Sequence, residues 1–385
     1  MKNNSKKILF VHNTIMWYRI PFFKLLKENY DVNFIFTYLE ASNNIYDIKY
    51  FENLKELEFE FNSCNAYLAS EFRFLNEGIP IGLIKYLFFT NYDIIVDNLQ
   101  SLKVLISYAA SKIRKKPLII WSEGWNIPNN VFMDKLKIRF AKLILNNSNF
   151  VLVPGTKHAE YISNLGIDRK KIVIMPNVSM IDNTNLEDID TIKKKYGILE
   201  KDIILYVGRL IRRKGVHYLI NGFSTLKKEN KDSVLFIIGN GPCKEYLKEL
   251  TEKLSISDSV FFLDFIKNDE LPSYYNASSV CVIPSITYET NEPWGLVVNE
   301  AMQFQNPIIA TEAVGSAYDL VQNGKNGFLI PERDENAIYE SLKRIIDDKE
   351  LKKKMGLESK RIIDEKFQYD AMFKGFESTI NQLKK

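Results

Sequence analysis

The stretch DIILYVGRLIRRKGVHYLI, residues 202–220, contains an apolar strand, a short basic turn and the start of a helix. Its apolar run suits a strand of a parallel sheet that is buried on both faces. Five similar runs follow in the second half of the chain, each before a helical pattern, at 233–239, 259–264, 280–284, 307–311 and 327–330. The pattern predicts a doubly wound α/β domain, in which ligands bind at the carboxyl ends of the strands.

The first half of the chain repeats this alternation of strands and helices. Apolar runs predict strands at 7–12, 32–37, 92–97, 117–121, 150–154 and 171–176, and helical patterns lie between them, for example at 22–29, 101–113 and 134–146. After Pro176, the stretch NVSMIDNTNLEDIDT has no clear period and predicts a linker. We therefore expect two α/β domains, 1–180 and 181–365, and a C-terminal helix, 366–385, that packs back on the first domain.

Composition narrows the class of protein. The net charge of +4 over 385 residues gives no indication of nucleic-acid binding. Residues 1–180 hold 23 Lys and Arg against 16 Asp and Glu, which suits an anionic partner or a membrane surface, although ordinary solvated lysines explain it equally well. Three distant cysteines imply neither a disulfide framework nor a metal site, and no apolar run predicts a signal peptide or a transmembrane helix. We expect a cytoplasmic protein, with the inner face of the membrane as an option.

Cations follow the first strand of the second half. Gly208 ends that strand, and Arg209 and Lys214 precede a helix that starts near Gly215. Two cations beside a helix N-terminus can bind a phosphate or diphosphate, and a solvated basic turn is the alternative. The later turn GNGP, at 239–242, would let a ligand approach the backbone, although most such turns only connect elements.

Two glutamates follow a later strand, in NEPWGLVVNEAM, residues 291–302. Glu292 lies in the loop, Gly295 permits an unusual backbone angle, and a helix is predicted to begin beside it with unpaired amides. Glu300 would fall about one and a half turns into that helix. Carboxylates accept hydrogen bonds from paired hydroxyls, as a sugar or a ribose presents them. The alternative is that Glu292 favours the helix dipole and Glu300 is solvated.

Together these motifs resemble the retaining glycosyltransferases of family 4, also called group 1, which have the GT-B fold. The matching residues are PS at 284–285, EPWGLVVNE at 292–300, and the motifs VGRLIRRKG, IIGNGP and NGKNGFLIPERD. The resemblance spans roughly residues 200–347, whereas the first domain matches only in its alternation of strands and helices and in PN at 176–177. It implies two doubly wound Rossmann-like domains facing across a cleft, and no bound metal or cofactor.

The resemblance also implies roles for the matching residues. Arg209 and Lys214 would bind the donor diphosphate, Glu292 the hydroxyls of the transferred sugar, and Glu300 the nucleotide ribose. A further set is expected to contact the donor, chiefly through backbone atoms: Trp294, Gly295 and Leu296 at the turn, Ile266 at the base, and Gly208 at the strand end. Because the base is met largely by backbone, UDP- and GDP-sugars both remain as donors.

The first domain departs from the family pattern and leaves the acceptor open. Its first loop lacks a glycine pair, Val178 replaces a glycine, and Glu123 stands where many members have a histidine. Glu123 and His12 are the acceptor-side candidates, with a structural hydrogen-bond network as an equal alternative for Glu123. The helix at 134–146 has one basic and one apolar face, which suits a membrane surface, although core packing explains its apolar side slightly better.

The sequence thus predicts a hexosyltransferase that acts without a metal on a nucleotide-diphosphate sugar. The expected acceptor is a glycan or a lipid-linked molecule in cell-surface polysaccharide synthesis, which follows from the family resemblance alone. The alternative is a non-catalytic subunit that binds a nucleotide sugar or a partner transferase.

Overall fold

The chain, in its computed structural model, forms two compact units. The first comprises Met1–Pro154, His158–Pro176 and Tyr369–Lys385, and the second comprises Gly155–Lys157 and Asn177–Gln368. The structure describes residues 6–13, 16–37, 62–63, 81–99, 103–125, 132–229 and 232–383.

The first unit is built on a parallel sheet of seven strands in the order β3-β2-β1-β4-β5-β6-β7. Its strands are β1 (Lys7–His12), β2 (Asp31–Phe36), β3 (Asn62–Ser63), β4 (Ile94–Asn98), β5 (Leu118–Trp121), β6 (Phe150–Val153) and β7 (Ile172–Ile174). All six strands predicted here are present, and β3 is an addition that no apolar run indicates. The strand order reverses between β1 and β4, the kind of point where doubly wound sheets bind ligands.

Helices cover this sheet because its strands are apolar along nearly their whole length. Strand β4 is buried at every position, and Leu9 and Ile95 pack in one core cluster with Leu83 and Leu87 of a neighbouring helix. The described α-helices that precede β7 in the chain are α1 (Ile20–Asn29), α2 (Ile81–Phe89), α3 (Val104–Arg114), α4 (Phe132–Asn147) and α5 (Thr156–Asn164).

The second unit is built on a parallel sheet of six strands in the order β10-β9-β8-β11-β12-β13. Its strands are β8 (Asp202–Val207), β9 (Ser233–Ile238), β10 (Val260–Leu263), β11 (Val280–Ile283), β12 (Ile308–Thr311) and β13 (Gly327–Ile330). Its helices are α6 (Ile189–Lys195), α7 (Val216–Glu229), α8 (Lys244–Lys253), α9 (Leu271–Ala277), α10 (Val297–Gln303), α11 (Ala317–Leu320), α12 (Glu335–Asp347) and α13 (Lys349–Lys366). The strand order reverses between β8 and β11.

The last helix, α14 (Tyr369–Gln382), belongs to the first unit. Its Phe376 ring lies 6.2 Å from the Phe10 ring and 6.1 Å from the Phe22 ring, measured between centroids. Gly375 lies close to β7, because a Cβ there would come within 2.8 Å of the carbonyl oxygen of Ile174. Helix α14 therefore completes the core on the Phe10 side of the first sheet.

The stretch after Pro176 has no helix or strand up to Asp188, as predicted for a linker, but its first residues are buried. Val178, Ser179 and Ile181 are buried, and the Ile181 amide donates to Oε1 of Gln303 at 2.9 Å. The last residues of the stretch already belong to α6, which begins at Ile189. The burial of these three side chains could not be predicted, because they show no period and the partner of Ile181 lies far along the chain.

Candidate functional site

The carboxyl edge of the second sheet brings the candidate residues to the point where the strand order reverses. Strands β8 and β11 are neighbours there. The basic turn 208–215 follows β8, and the loop 292–296 follows β11. Helix α7 begins at Val216, directly after the predicted start at Gly215. Because ligands of doubly wound sheets bind at such a reversal, this edge is the candidate site of the chain.

Close backbone contacts fix these loops to one another. Gly215 has a φ of +64°, and a Cβ there would lie 2.0 Å from the carbonyl oxygen of Pro284, just after β11. Gly239, after β9, has a φ of +135°, and its Cβ would lie 2.1 Å from the carbonyl oxygen of Gly208. Only glycine fits both the backbone angle and the space. The ends of β8, β9 and β11 therefore form one rigid edge.

An ion pair lies at the centre of this edge. The Lys214 Nζ donates to Oε2 of Glu292 at 2.6 Å, and the two side chains are only 14% and 11% exposed. Burial raises the pKa of the Glu292 carboxyl, but the charges of Lys214, Arg213 and Arg209 outweigh burial and hold that pKa below its usual range. The cluster thus has three cations around one ionised carboxylate. Its net positive charge suits an anionic ligand.

Arg213 anchors the loop that carries Glu292. Its guanidinium donates to the carbonyl oxygen of Asn291 at 2.7 Å and to Oγ1 of Thr290 at 3.3 Å. Its own carbonyl accepts from the Ile286 amide at 2.8 Å. No role was predicted for Arg213, because its partner Asn291 lies 78 residues away and no local signal connects the two.

The loop 292–296 also pairs with the segment after β12. Its first amide donates to the carbonyl oxygen of Ala313 at 3.0 Å, and its first carbonyl accepts from the Gly315 amide at 3.1 Å. Its third carbonyl accepts from the Ser316 amide at 2.9 Å. Gly295 has a φ of +86°, which agrees with the unusual backbone predicted for it. The loop is thus fixed on two sides.

Glu300 is buried in the first turn of α10, which begins at Val297. Its Oε1 accepts from the Ser179 hydroxyl at 2.8 Å, and its Oε2 accepts from the Tyr275 hydroxyl at 2.9 Å. Burial raises the pKa of Glu300, and the two hydroxyls oppose that rise. The alternative of a solvated Glu300 is therefore wrong. A carboxylate has about four lone-pair sites, so these two donors leave capacity for the hydroxyls of a ligand.

The side chain of Trp294 belongs to the core of the second unit. Its indole Nε1 donates to Oδ1 of Asn299 at 3.0 Å, and the Asn299 amide donates to the carbonyl oxygen of Asn177 at 3.1 Å. Leu296 is half-buried and directly precedes α10. The resemblance implied a role for backbone atoms here, and the buried indole is compatible with it. The link through Asn299 was not predicted.

The remaining donor-side candidates lie around the same edge. Ile266 is half-buried in the loop between β10 and α9, and Arg209 is exposed in the turn after β8. The hydroxyl of Tyr206, a residue of β8, donates to the carbonyl oxygen of Arg209 at 3.0 Å and so ties that turn to the strand. The second unit thus places every donor-side candidate at the carboxyl edge of its sheet.

The two acceptor-side candidates lie at the carboxyl edge of the first sheet. Glu123 forms an ion pair with the buried Arg19, whose guanidinium lies 4.4 Å from the centroid of the Trp121 ring. His12 is buried, and its ring centroid lies 5.4 Å from that of Trp121. For Glu123, this geometry favours the alternative of a structural network. A contact of either residue with an acceptor stays a prediction.

The described residues show neither a metal-ligand cluster nor a membrane-spanning helix. These residues contain no cluster of three or more His, Cys, Asp or Glu side chains placed to hold a metal ion. Among the helices that the structure describes, none combines the length and the apolar character needed to cross a bilayer. Cys243 and Cys281 are free.

Comparison with known structures defines the class of fold. HepE of Anabaena superposes on this chain with a TM-score of 0.77 and 19% identity, covering 98% of this chain and 100% of HepE. The two Rossmann-like units thus have the GT-B fold. Residues 188–361, which include Arg209, Lys214, Glu292 and Glu300, match the family model described as Glycosyl transferases group 1. This segment, which lies in the second unit, is thus similar to that family.

Curated relatives cover the chain to different extents. An uncharacterized glycosyltransferase of Methanocaldococcus jannaschii is 29% identical over 203 residues, which are 52% of this chain and 50% of that protein. CapM, a capsular polysaccharide biosynthesis glycosyltransferase of Staphylococcus aureus, is 28% identical over 302 residues, 72% of this chain and 73% of CapM. The chain therefore spans about half the length of the first of these relatives.

Proposed function

We propose that this chain is a retaining glycosyltransferase of family 4. It transfers a hexose from a UDP- or GDP-sugar to a glycan or a lipid-linked acceptor in cell-surface polysaccharide synthesis. The observation that carries the proposal is the shielded Lys214–Glu292 pair, with Arg209 and Arg213 around it. A cationic site that contains one carboxylate matches a sugar diphosphate, which presents phosphate oxygens next to sugar hydroxyls.

Each charged group has a role in this reaction. The diphosphate gains negative charge as its bond to the sugar breaks, and Lys214 and Arg209 stabilise that charge. Glu292 accepts hydrogen bonds from the sugar hydroxyls and orients the ring, while Arg213 holds the Glu292 loop in place. The acceptor hydroxyl attacks from the face that the diphosphate leaves, and a diphosphate oxygen takes its proton. The anomeric configuration is thereby retained without a bound metal or a cofactor.

The nucleotide is bound around Glu300. Its carboxylate, fixed by Ser179 and Tyr275, accepts hydrogen bonds from the ribose hydroxyls, and the backbone near Ile266 meets the base. The complex of HepE with UDP supports a UDP-sugar, and a GDP-sugar is the second option. The name of CapM supports a role in capsular polysaccharide synthesis. The enzyme would act in the cytoplasm, at the inner face of the membrane.

Thermal unfolding with a panel of UDP-, GDP-, ADP-, CMP- and dTDP-sugars, without divalent metal, tests the proposal. A ligand that binds only the folded chain adds about 2.7 kcal/mol to the free energy of unfolding when its concentration is a hundred times Kd. The midpoint of thermal unfolding rises as a result. We expect one nucleotide class to raise it, and Glu300→Ala to abolish the effect. Glu249→Ala, which removes an exposed carboxylate of α8, is the control and keeps the response.

The outcomes separate this function from its alternative. Release of free nucleotide and a mass increase of the acceptor by one hexose would support transfer. A midpoint that no sugar nucleotide raises would contradict donor binding. Donor binding without turnover on any acceptor extract would favour a non-catalytic subunit that binds nucleotide sugars.

A further inference from the structure

Two neighbouring helices of the first unit expose apolar side chains among cations. Phe89 at the end of α2 is 82% exposed, and Ile113 near the end of α3 is 69% exposed. Together with Phe265 at 73%, they are the most exposed large apolar side chains of the described residues. We define the α2–α3 surface by six exposed residues of these helices and the following turn: Ile84, Lys85, Phe89, Lys112, Ile113 and Lys115.

The two helices form one rigid support for this surface. Arg114, the last residue of α3, donates to the carbonyl oxygen of Leu87 at 3.0 Å and to that of Thr90 at 2.7 Å. Its guanidinium also lies 4.5 Å from the centroid of the Tyr92 ring. In α2, Leu83 and Leu87 are fully buried, and this orientation leaves Phe89 on the outer side. The exposure of Phe89 thus belongs to a packed helix.

The composition of α2 is unusual for a helix at a protein surface. Surface helices normally pair an apolar stripe toward the core with a polar outer face. The sequence of α2, IGLIKYLFF, contains one charged residue, and both its inner and outer faces are largely apolar. Such an outer face, next to cations, is typical of segments that lie at a membrane interface.

The charges of the surface have one sign. Neither α2 nor α3 contains Asp or Glu, and Lys85, Lys112 and Lys115 are exposed. Lys112 donates to the carbonyl oxygen of Asn147 at 3.2 Å, a contact that does not compensate its charge. Negatively charged lipid headgroups attract exposed cations, while apolar side chains between them enter the headgroup layer. The surface therefore has the charge and the apolar character that complement an anionic bilayer.

We propose that the α2–α3 surface docks on a bilayer that contains anionic lipids, with Phe89 and Ile113 inserted between headgroups. The inference specifies the membrane contact of the proposed function, but vesicle binding can be measured without donor or acceptor. The surface differs from the one that the sequence suggested, the basic face of α4. There Lys137 and Arg139 are exposed, but Ile144 is buried, so that part of the apolar side of α4 packs in the core.

Co-sedimentation of the full chain with vesicles tests the inference. We expect binding to phosphatidylcholine vesicles that contain phosphatidylglycerol, weaker binding at high salt, and little binding to phosphatidylcholine alone. One cation near an anionic surface strengthens binding about fivefold, so Lys85→Glu, which reverses a charge, weakens it roughly 25-fold. Phe89→Asp weakens binding at least about tenfold, because a charge replaces the inserted ring.

Matched variants in the second unit are the controls. Phe265→Asp changes the other strongly exposed phenylalanine, and Lys353→Glu reverses an exposed lysine of α13. Both are expected to bind vesicles like the unchanged chain. The inference is overturned if the unchanged chain ignores anionic vesicles or if Phe89→Asp still binds them fully. It is also overturned if Phe89→Asp instead lowers the mass of a dimer in sedimentation equilibrium, because the surface would then bind a second copy.

Donor binding separates this inference from the proposed function. The midpoint shift caused by the sugar nucleotide is measured for Phe89→Asp alongside vesicle binding. Loss of vesicle binding with an unchanged donor shift supports the docking surface. Failure of the unchanged chain to bind vesicles, together with a normal donor shift, overturns the docking surface and leaves the transferase proposal intact.

Discussion

A double-mutant cycle on the Lys214–Glu292 pair tests the geometry of the site without any substrate. Lys214→Met and Glu292→Gln remove one charge each and nearly keep the side-chain volume. Removing one partner of a buried pair costs about 3–5 kcal/mol, and the 14% and 11% exposure of these side chains moves the cost to the lower end of that range. We expect Glu292→Gln to cost about 3 kcal/mol, because three cations then lack their carboxylate. We expect Lys214→Met to cost about 2 kcal/mol, because Arg209 and Arg213 still attract Glu292.

The coupling between the two substitutions is the informative quantity. The double variant removes both charges and is expected to lose about 3 kcal/mol instead of the sum of about 5, so the coupling is about 2 kcal/mol. Urea unfolding near pH 8, followed by tryptophan fluorescence, measures each free energy of unfolding. The solvent-exposed pair Lys343–Glu229, 39% and 49% exposed, is the control and is expected to couple much more weakly, because water screens its charges. Additive effects of the two substitutions at 214 and 292 would show that the pair is not shielded in solution, and would refute the reasoning.

Four further results are expected. Lys214→Ala is expected to lower kcat/KM roughly 30- to 1000-fold in a donor-saturation assay, which corresponds to about 2–4 kcal/mol of lost transition-state stabilisation. Near-normal turnover would show that Lys214 does not stabilise the leaving diphosphate. Gly215→Ala is expected to lower the free energy of unfolding by at least about 2 kcal/mol, because the left-handed backbone and the Pro284 carbonyl oxygen both oppose a Cβ. An unchanged midpoint of urea unfolding would contradict the close approach of Gly215 to Pro284. Folding lowers the pKa of Glu292, so the carboxylate stabilises the folded chain fully above its unfolded pKa of about 4.3. That stability is lost as the pH falls through the folded pKa. If Glu292→Gln loses the same amount of stability in acid as the unchanged chain, this reasoning is wrong. Folding raises the pKa of Glu300, so the free energy of unfolding increases as the pH falls through its folded pKa. Glu300→Gln is expected to remove that increase and to lose the midpoint shift caused by the donor. A variant with the same dependence of stability on pH as the unchanged chain would disprove the effect of burial.

The sequence was enough to predict the strands and to locate the residues of the candidate site, because both signals are local. A strand buried on two faces is apolar at consecutive positions, and the turn from Gly208 to Gly215 lies in one continuous stretch. Helix α10 was predicted to begin beside Gly295 and begins two residues later, at Val297, because Gly295 takes a left-handed backbone that a helix cannot include.

The contacts that hold the site together could not be predicted, because they join distant parts of the chain. The Ser179 hydroxyl bonds to Glu300 across 121 residues, and Arg213 reaches Asn291 across 78. In the first unit, Arg19 neutralises Glu123 across 104 residues. No spacing rule relates such pairs, and each depends on which strands become neighbours in the sheet.

The return of α14 to the first unit affects how the gene can be divided. A fragment that stops at Pro176 lacks Phe376, and so leaves the Phe10 and Phe22 rings open to water. Apart from the three residues Gly155–Lys157, the second unit occupies one continuous segment, Asn177–Gln368, between two parts of the first. In genetic terms the second unit is an insertion within the first. A short linker from Pro176 to Tyr369 would restore the first unit as a single open reading frame, whereas a simple cut of the gene in two halves would not.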